Sequence, residues 1–361
     1  MIHKRYKNNK QFMKYGSKKI SKAGTIALTS SDKNEVNNAI EMINDWRSLH
    51  LPALDELQSS LLLLLKENKI RVFSISRRLK RISSILNKLD RNPKSGLGTM
   101  QDIGGLRIVV HTMDALNKAL SVIINNVPSS FEFTKSPINY IENPKDVSGY
   151  RSIHFVYKYH SENIDLDGMK IELQLRTKLQ HSWAMAVETA ELITGTALKS
   201  SQGEEEWITF FKIVSSLFAI KERTPIMSEH KEKEYGMKEL MRILYHMNNK
   251  YNFNDTLKAL NVTCSFAKQD NYRDGYYILS INFDTKKVNI KSFPKENEED
   301  ASALYSRLEK NIENYKNAVV LVSVPKMQQL QEAYPSYFLN TGEFLNAIDT
   351  MMQNCERWGW A

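Results

Sequence analysis

The chain has 361 residues, 42% of them hydrophobic and 25% charged, a balance that excludes a disordered or fibrous protein and fits two folded domains. Its longest apolar run, residues 61–65, is far short of the ~20 residues a membrane-spanning helix needs, and the basic N-terminus has no apolar signal segment, so a cytoplasmic protein is expected. Net charge is +9, and Lys4, Arg5, Lys7, Lys10, Lys14, Lys18, Lys19 and Lys22 stand together with no acid between them, which suits a polyanion partner and equally a solvated arm.

In chain order, residues 1–24 read as this basic arm. Ser31 and Asp32 signal a helix start, and Val36, Ile40, Ile43 and Trp46 follow at helical spacing to a break at Pro52, with a second helix to about residue 68. Over 72–89 the residues Ile75, Leu79, Ile82, Ile85, Leu86 and Leu89 make one apolar stripe beside Arg77, Arg78, Arg81 and Lys88, which predicts a helix with a cationic flank. Strands are predicted at 106–111, 153–159 and 169–175, with helices at 114–124, 179–192 and 205–221. The charged stretch 229–238 marks a domain boundary near residue 230. Beyond it, strands at 276–283, 287–293 and 318–324 flank a helix at 298–315, and a final helix ends in Trp358 and Trp360. The fold class is therefore α/β (α+β), a mixed sheet flanked by helices over 25–230, with a smaller α/β unit over 231–361. Cys264 and Cys355 are too far apart, and too far from other ligands, to suggest a disulfide framework or a zinc site.

Three segments carry chemistry. In Asp102-Ile-Gly-Gly-Leu-Arg107 a carboxylate stands at the entrance to a strand, where it and a second carboxylate could hold Mg²⁺ with phosphate oxygens. In the segment Ile171-Glu-Leu-Gln-Leu-Arg-Thr177, alternation sends Glu172, Gln174 and Arg176 to one face and Ile171, Leu173 and Leu175 to the other, as in a site strand or a half-exposed amphipathic one. In Ser148-Gly-Tyr-Arg-Ser-Ile-His154, a glycine turn presents Tyr150 for stacking on a base, and Arg151 or His154 for a phosphate. Core packing is the plainer role for a lone tyrosine.

Together and in this order, these segments resemble the RelA/SpoT synthetase domain over about residues 35–220. The resemblance implies that Arg78, Lys80, Ser84, Lys88 and Arg107 bind ATP, and that Asp102 and Glu172 hold Mg²⁺ and serve catalysis. It also implies that Tyr150, His154, Gln174 and Arg176, with Arg151 beside them, bind an acceptor whose 3′-hydroxyl takes the β,γ-pyrophosphate of ATP. No histidine is followed by aspartate, so the hydrolase motif of long family members is missing and synthesis alone is expected. The family's Lys-Pro-Asn before the Gly-Tyr turn is here Lys145-Asp146-Val147-Ser148, which shifts the lysine by one place.

The segment from Leu179 through Glu188 is similar to toxic small alarmone synthetases, some of which modify the tRNA 3′ end. Residues 231–361, with Tyr334, Tyr337 and Phe338, resemble the regulatory part of CapRel-type fused toxin–antitoxin proteins. These likenesses imply tRNA as acceptor, an inhibitory C-terminal domain and a phage structural protein as trigger. A guanosine or adenosine nucleotide as acceptor, giving an alarmone, and a non-catalytic RNA-binding module are the alternatives, the latter disfavoured by the intact carboxylates.

Overall fold

The computed structural model describes residues 14–194, 205–251, 253, 254, 257, 275–282, 285, 287–310, 317–324 and 342–361. Lys4, Arg5, Lys7 and Lys10, Cys264, and the aromatic segment with Tyr334, Tyr337 and Phe338 lie outside the described residues.

Residues 17–24, expected within the basic arm, open helix α1 (Ser17–Thr29), because Ile20, Ala23 and Gly24 fall on one helical face and are buried there. Helix α2 (Lys33–Ser48) starts at Asp32, whose side chain accepts from the Asn34 amide, and α3 (Leu51–Glu67) carries Pro52 in its first turn. The single helix expected over 72–89 is instead strand β1 (Val72–Leu79) followed by helix α4 (Ile82–Arg91). The difference has a physical cause: a four-residue step, such as Ile75 to Leu79, returns to the same face in a strand of period two as well as in a helix. Pairing with the neighbouring strand decides the matter, with Val72 opposite Val110 and Leu79 opposite Gly104.

The main sheet continues with β2 (Gly104–Val110), then, after α5 (Met113–Asn125), β3 (Phe131–Phe133), β4 (Ile138–Asn139), β5 (Ile153–Tyr159) and β6 (Lys170–Thr177). Strand order is β1-β2-β6-β5-β3, with β4 paired to β5. Strands β2 and β6 run parallel and the other pairs antiparallel. One sheet face buries Leu106, Ile108, Ile171, Leu173, Leu175, Ile153 and Phe155 against the helices α1 to α5. Gly104 lies on this packed face: a Cβ there would meet the Ile171 side chain at 2.7 Å.

A second core is built by α6 (Lys178–Thr194), α7 (Glu205–Glu222), α9 (Met237–Tyr251) and α11 (Gly342–Arg357), with the short α8 (Ser228–Glu232) between α7 and α9. Phe210, Phe211 and Phe218 of α7 pack their rings against Phe344 of α11, so elements on both sides of residue 230 share one apolar cluster. The remaining C-terminal elements form a three-stranded sheet, β8-β7-β9, from β7 (Gly275–Asn282), β8 (Lys287–Pro294) and β9 (Asn317–Val324), with helix α10 (Glu298–Lys310) against it. The mixed α/β class is as the sequence predicts.

Candidate active site

The sheet face opposite the first core is polar. Because side chains alternate, and because Gly105 is level with Glu172 and Arg107 with Gln174, the residues Ser76, Arg78, Arg107, His154, Glu172, Gln174 and Arg176 all rise from that face. They floor a cleft of ≈ 450 Å³ whose walls add Lys80, Lys88, Gln101, Asp102, Lys135, Tyr140, Lys145, Tyr150 and Glu188.

Asp102 is bracketed by two ammonium groups, Lys80 Nζ at 2.8 Å and Lys88 Nζ at 3.0 Å. Burial alone would raise the Asp102 carboxyl, but the two lysines outweigh it and hold the group at about 2, so it is ionised at neutral pH. Burial lowers Lys80 in turn, with Asp102 opposing. Arg107, also buried, is brought down to about 10 by burial and by the nearby Arg176 and Arg78. Mutually repelling guanidinium groups in one cleft form an electrostatic seat for a polyanion.

Beyond Asp102, five side chains of the cleft close a ring of hydrogen bonds. His154 Nδ1 meets Glu172 Oε1 at 2.9 Å and His154 Nε2 meets the Tyr150 hydroxyl at 2.8 Å. Arg176 Nη2 donates to the Tyr150 oxygen at 2.5 Å and to Gln174 Oε1 at 2.8 Å, and Gln174 Nε2 donates to Glu172 Oε2 at 2.8 Å. Burial would raise Glu172, yet His154 leaves it below the usual carboxylate range. Burial would likewise raise Tyr150, yet Arg176 and His154 bring it down to about 7. Against the lowering effect of burial, Tyr150 and Glu172 leave His154 raised. These groups titrate as a unit and keep the Glu172 carboxylate both ionised and fixed in direction.

The turn before this ring depends on Gly149. Its φ of +81° is a conformation side chains rarely adopt, and a Cβ there would lie 2.9 Å from the Ser215 Cβ on α7. Tyr150 is buried, its ring edge-packed against Tyr140, His154 and Trp183 and its oxygen held in the network. Arg151 lies outside the cleft: it is buried, donating from Nε to the Ser215 hydroxyl at 2.9 Å and from Nη1 to the Ile141 carbonyl at 3.0 Å. Ser84 is half-buried on α4 and does not line the cleft. The other ten residues singled out from the sequence line this one cleft.

Tyr140, Lys135, Gln101 and Glu188 also line it, and sequence reasoning missed them. Tyr140 sits in an irregular loop that carries no periodic signal. The displaced Lys145 still reaches the cleft, with Nζ 4.8 Å from the Tyr140 ring centre and 5.3 Å from that of Tyr150.

The donor chemistry fits a magnesium ion. Asp102 and Glu172 are both ionised oxygen donors in one cleft, and the negative charge of Asp102 works against ionisation of Glu172, a repulsion that a divalent cation relieves.

Residues 77–192 match the family model for the region found in RelA / SpoT proteins. This stretch, from late β1 into α6, contains every cleft-lining residue except Ser76, so the cleft lies within the region that resembles RelA / SpoT proteins. No curated protein matches the chain. Among solved structures, small alarmone synthetase 1 from Bacillus subtilis is 22% identical, over 52% of this chain and 93% of that one, with a TM-score of 0.41. A GTP pyrophosphokinase family protein from Streptococcus pneumoniae is 21% identical, over 54% and 95%, with a TM-score of 0.41. Small alarmone synthetase 2 from Bacillus subtilis is 20% identical, over 52% and 97%, with a TM-score of 0.42. Likeness at this level carries neither substrate nor mechanism across.

Proposed function

We propose that the chain is an ATP-dependent pyrophosphotransferase that moves the β,γ-pyrophosphate of ATP to a 3′-hydroxyl, with the 3′ end of tRNA as acceptor. The observation that carries the reading is the cleft itself: seven cationic side chains and three acidic ones line it, with one carboxylate bracketed by lysines and another locked in a ring of hydrogen bonds. Transfer of this kind needs positioning and charge neutralisation rather than a covalent protein nucleophile.

Arg78, Lys80, Lys88 and Arg107 bind the triphosphate and screen its charge. Asp102 and Glu172 would hold Mg²⁺, which when bound supplies charge neutralisation at the phosphates. Glu172, oriented by His154 and Gln174, accepts the proton of the acceptor hydroxyl. The hydroxyl oxygen forms its bond to the β-phosphorus, the bond between that phosphorus and the α,β-bridging oxygen breaks, and AMP leaves with that oxygen. Tyr140, with Lys145 over its ring, offers a stacking wall to the acceptor's purine.

The preference for tRNA is supported by the acid-free basic run from Lys4 to Lys22, since backbone neutralisation grows with the number of phosphates met. A free guanosine or adenosine nucleotide fits the Tyr140 wall equally well, which makes alarmone synthesis the second reading. Regulation by the C-terminal part, inhibitory and triggered by a phage structural protein, belongs to the same proposal. It is supported by Arg78, which lines both the cleft and a separate cavity of ≈ 70 Å³ walled by Tyr276, Glu298 and Tyr305.

The test is incubation of the full chain with Mg²⁺, ATP labelled at the β or γ position, and either deacylated tRNA or purine nucleotides. Label from both positions in tRNA is the expected result. Label in a nucleotide tetra- or pentaphosphate replaces the acceptor, and label in neither points to a missing activator.

A further inference from the structure

Helix α4 has only ten residues, too few to hold its own ends firmly, and it carries Lys88 in its last turn. Lys80 stands two residues before its start, so the spacing of both ammonium groups about Asp102 depends on where α4 begins. The residue at its N-cap position, Arg81, provides no side-chain acceptor. The amide of Ile82 donates instead to Glu309 Oε1, at 2.9 Å, on α10 of the C-terminal unit.

The other oxygen of that carboxylate accepts from Arg47 Nη1 at 3.0 Å, and Arg47 Nη2 donates to the Tyr305 hydroxyl at 2.7 Å. Arg47 is 1% exposed, Glu309 9% and Tyr305 7%. A buried ion pair gives little net stability over an apolar replacement, because desolvation offsets the attraction; its physical effect here is to fix geometry. A carboxylate at a helix start also meets the positive end of the helix dipole. The latch thus reaches across the chain to supply the cap that α4 lacks.

We infer that Glu309 is a positioning residue of the donor site: docked through Arg47 and Tyr305, it caps α4 from the C-terminal unit and so sets the affinity for ATP. The inference deepens the proposed regulation of this site, and its kinetic readout rests on the pyrophosphotransfer reading. It gives α10 a supporting effect on the donor site, whatever other C-terminal segments do.

The experiment compares the full-length protein with E309A, E309Q and Y305F. E309A is expected to raise KM for ATP about tenfold, the size of a lost helix cap, with kcat within about threefold and KM for the acceptor unchanged. E309Q keeps an acceptor for the Ile82 amide and should fall between the two. Hydrogen exchange at the α4 amides should quicken in E309A in the same order. An unchanged or lowered KM for ATP in E309A, or equal shifts in both substrates' KM, overturns the inference. If E309A loses its cooperative melting transition, Y305F decides the matter, with a smaller shift in the same direction expected and none refuting it. Should the unaltered chain be held inhibited and transfer no pyrophosphate, no KM can be read. Equilibrium binding of ATP, with exchange at α4, then still tests the latch.

Discussion

Replacing Asp102 by asparagine removes the charge that Lys80 and Lys88 share while keeping the side chain's shape. The folded carboxyl titrates at about 2 against an ordinary 3.8, a displacement equivalent to about 2.4 kcal/mol at neutral pH. The side chain is 21% exposed, and solvent screening brings the expected loss to about 1–2 kcal/mol. Since the folded value lies below the unfolded one, the stabilisation is complete above about pH 4 and is lost as pH falls towards 2. D102N should therefore be less stable than the parent at pH 7, and the gap should close on acidification. Urea unfolding of both proteins at a series of pH values measures it. Equal stability at pH 7, or a gap that persists at pH 3 unchanged, would refute the electrostatic account of the bracket. Pyrophosphate transfer should fall in parallel, because the same carboxylate is placed in the site.

Two further outcomes follow from the ring and the second core. With Tyr150 held at about 7 by Arg176 and His154, one of the 16 tyrosines should develop tyrosinate absorbance far below the usual range; Y150F should abolish that step, and its persistence would sink the assignment. Phe344 is fully buried against Phe210, Phe211 and Phe218, so F344A should cost about 3–5 kcal/mol in urea unfolding. A loss under 1 kcal/mol would mean that α11 does not share the α7 core. The same packing makes truncation after residue 228 a poor test of inhibition, because it strips α9 and α11 from α7 and exposes its apolar face.

By itself the sequence determined much of this. Alternation in β6 put Glu172, Gln174 and Arg176 on one face, since period two is a local property of extended backbone. Gly149 was legible as a turn. What remained ambiguous was local too: the stripe through Ile75 and Leu79 obeys both periods, and only pairing of β1 with β2 made it a strand. Arg151 looked like a ligand from its neighbours in sequence, but the direction of its side chain was set by Ser215, 64 residues away. Tyr140 and Glu188 entered the cleft, and Glu309 reached the start of α4, through long-range packing alone. Such contacts leave no periodic trace, because they depend on which surfaces meet once the apolar faces of separate elements have been buried together.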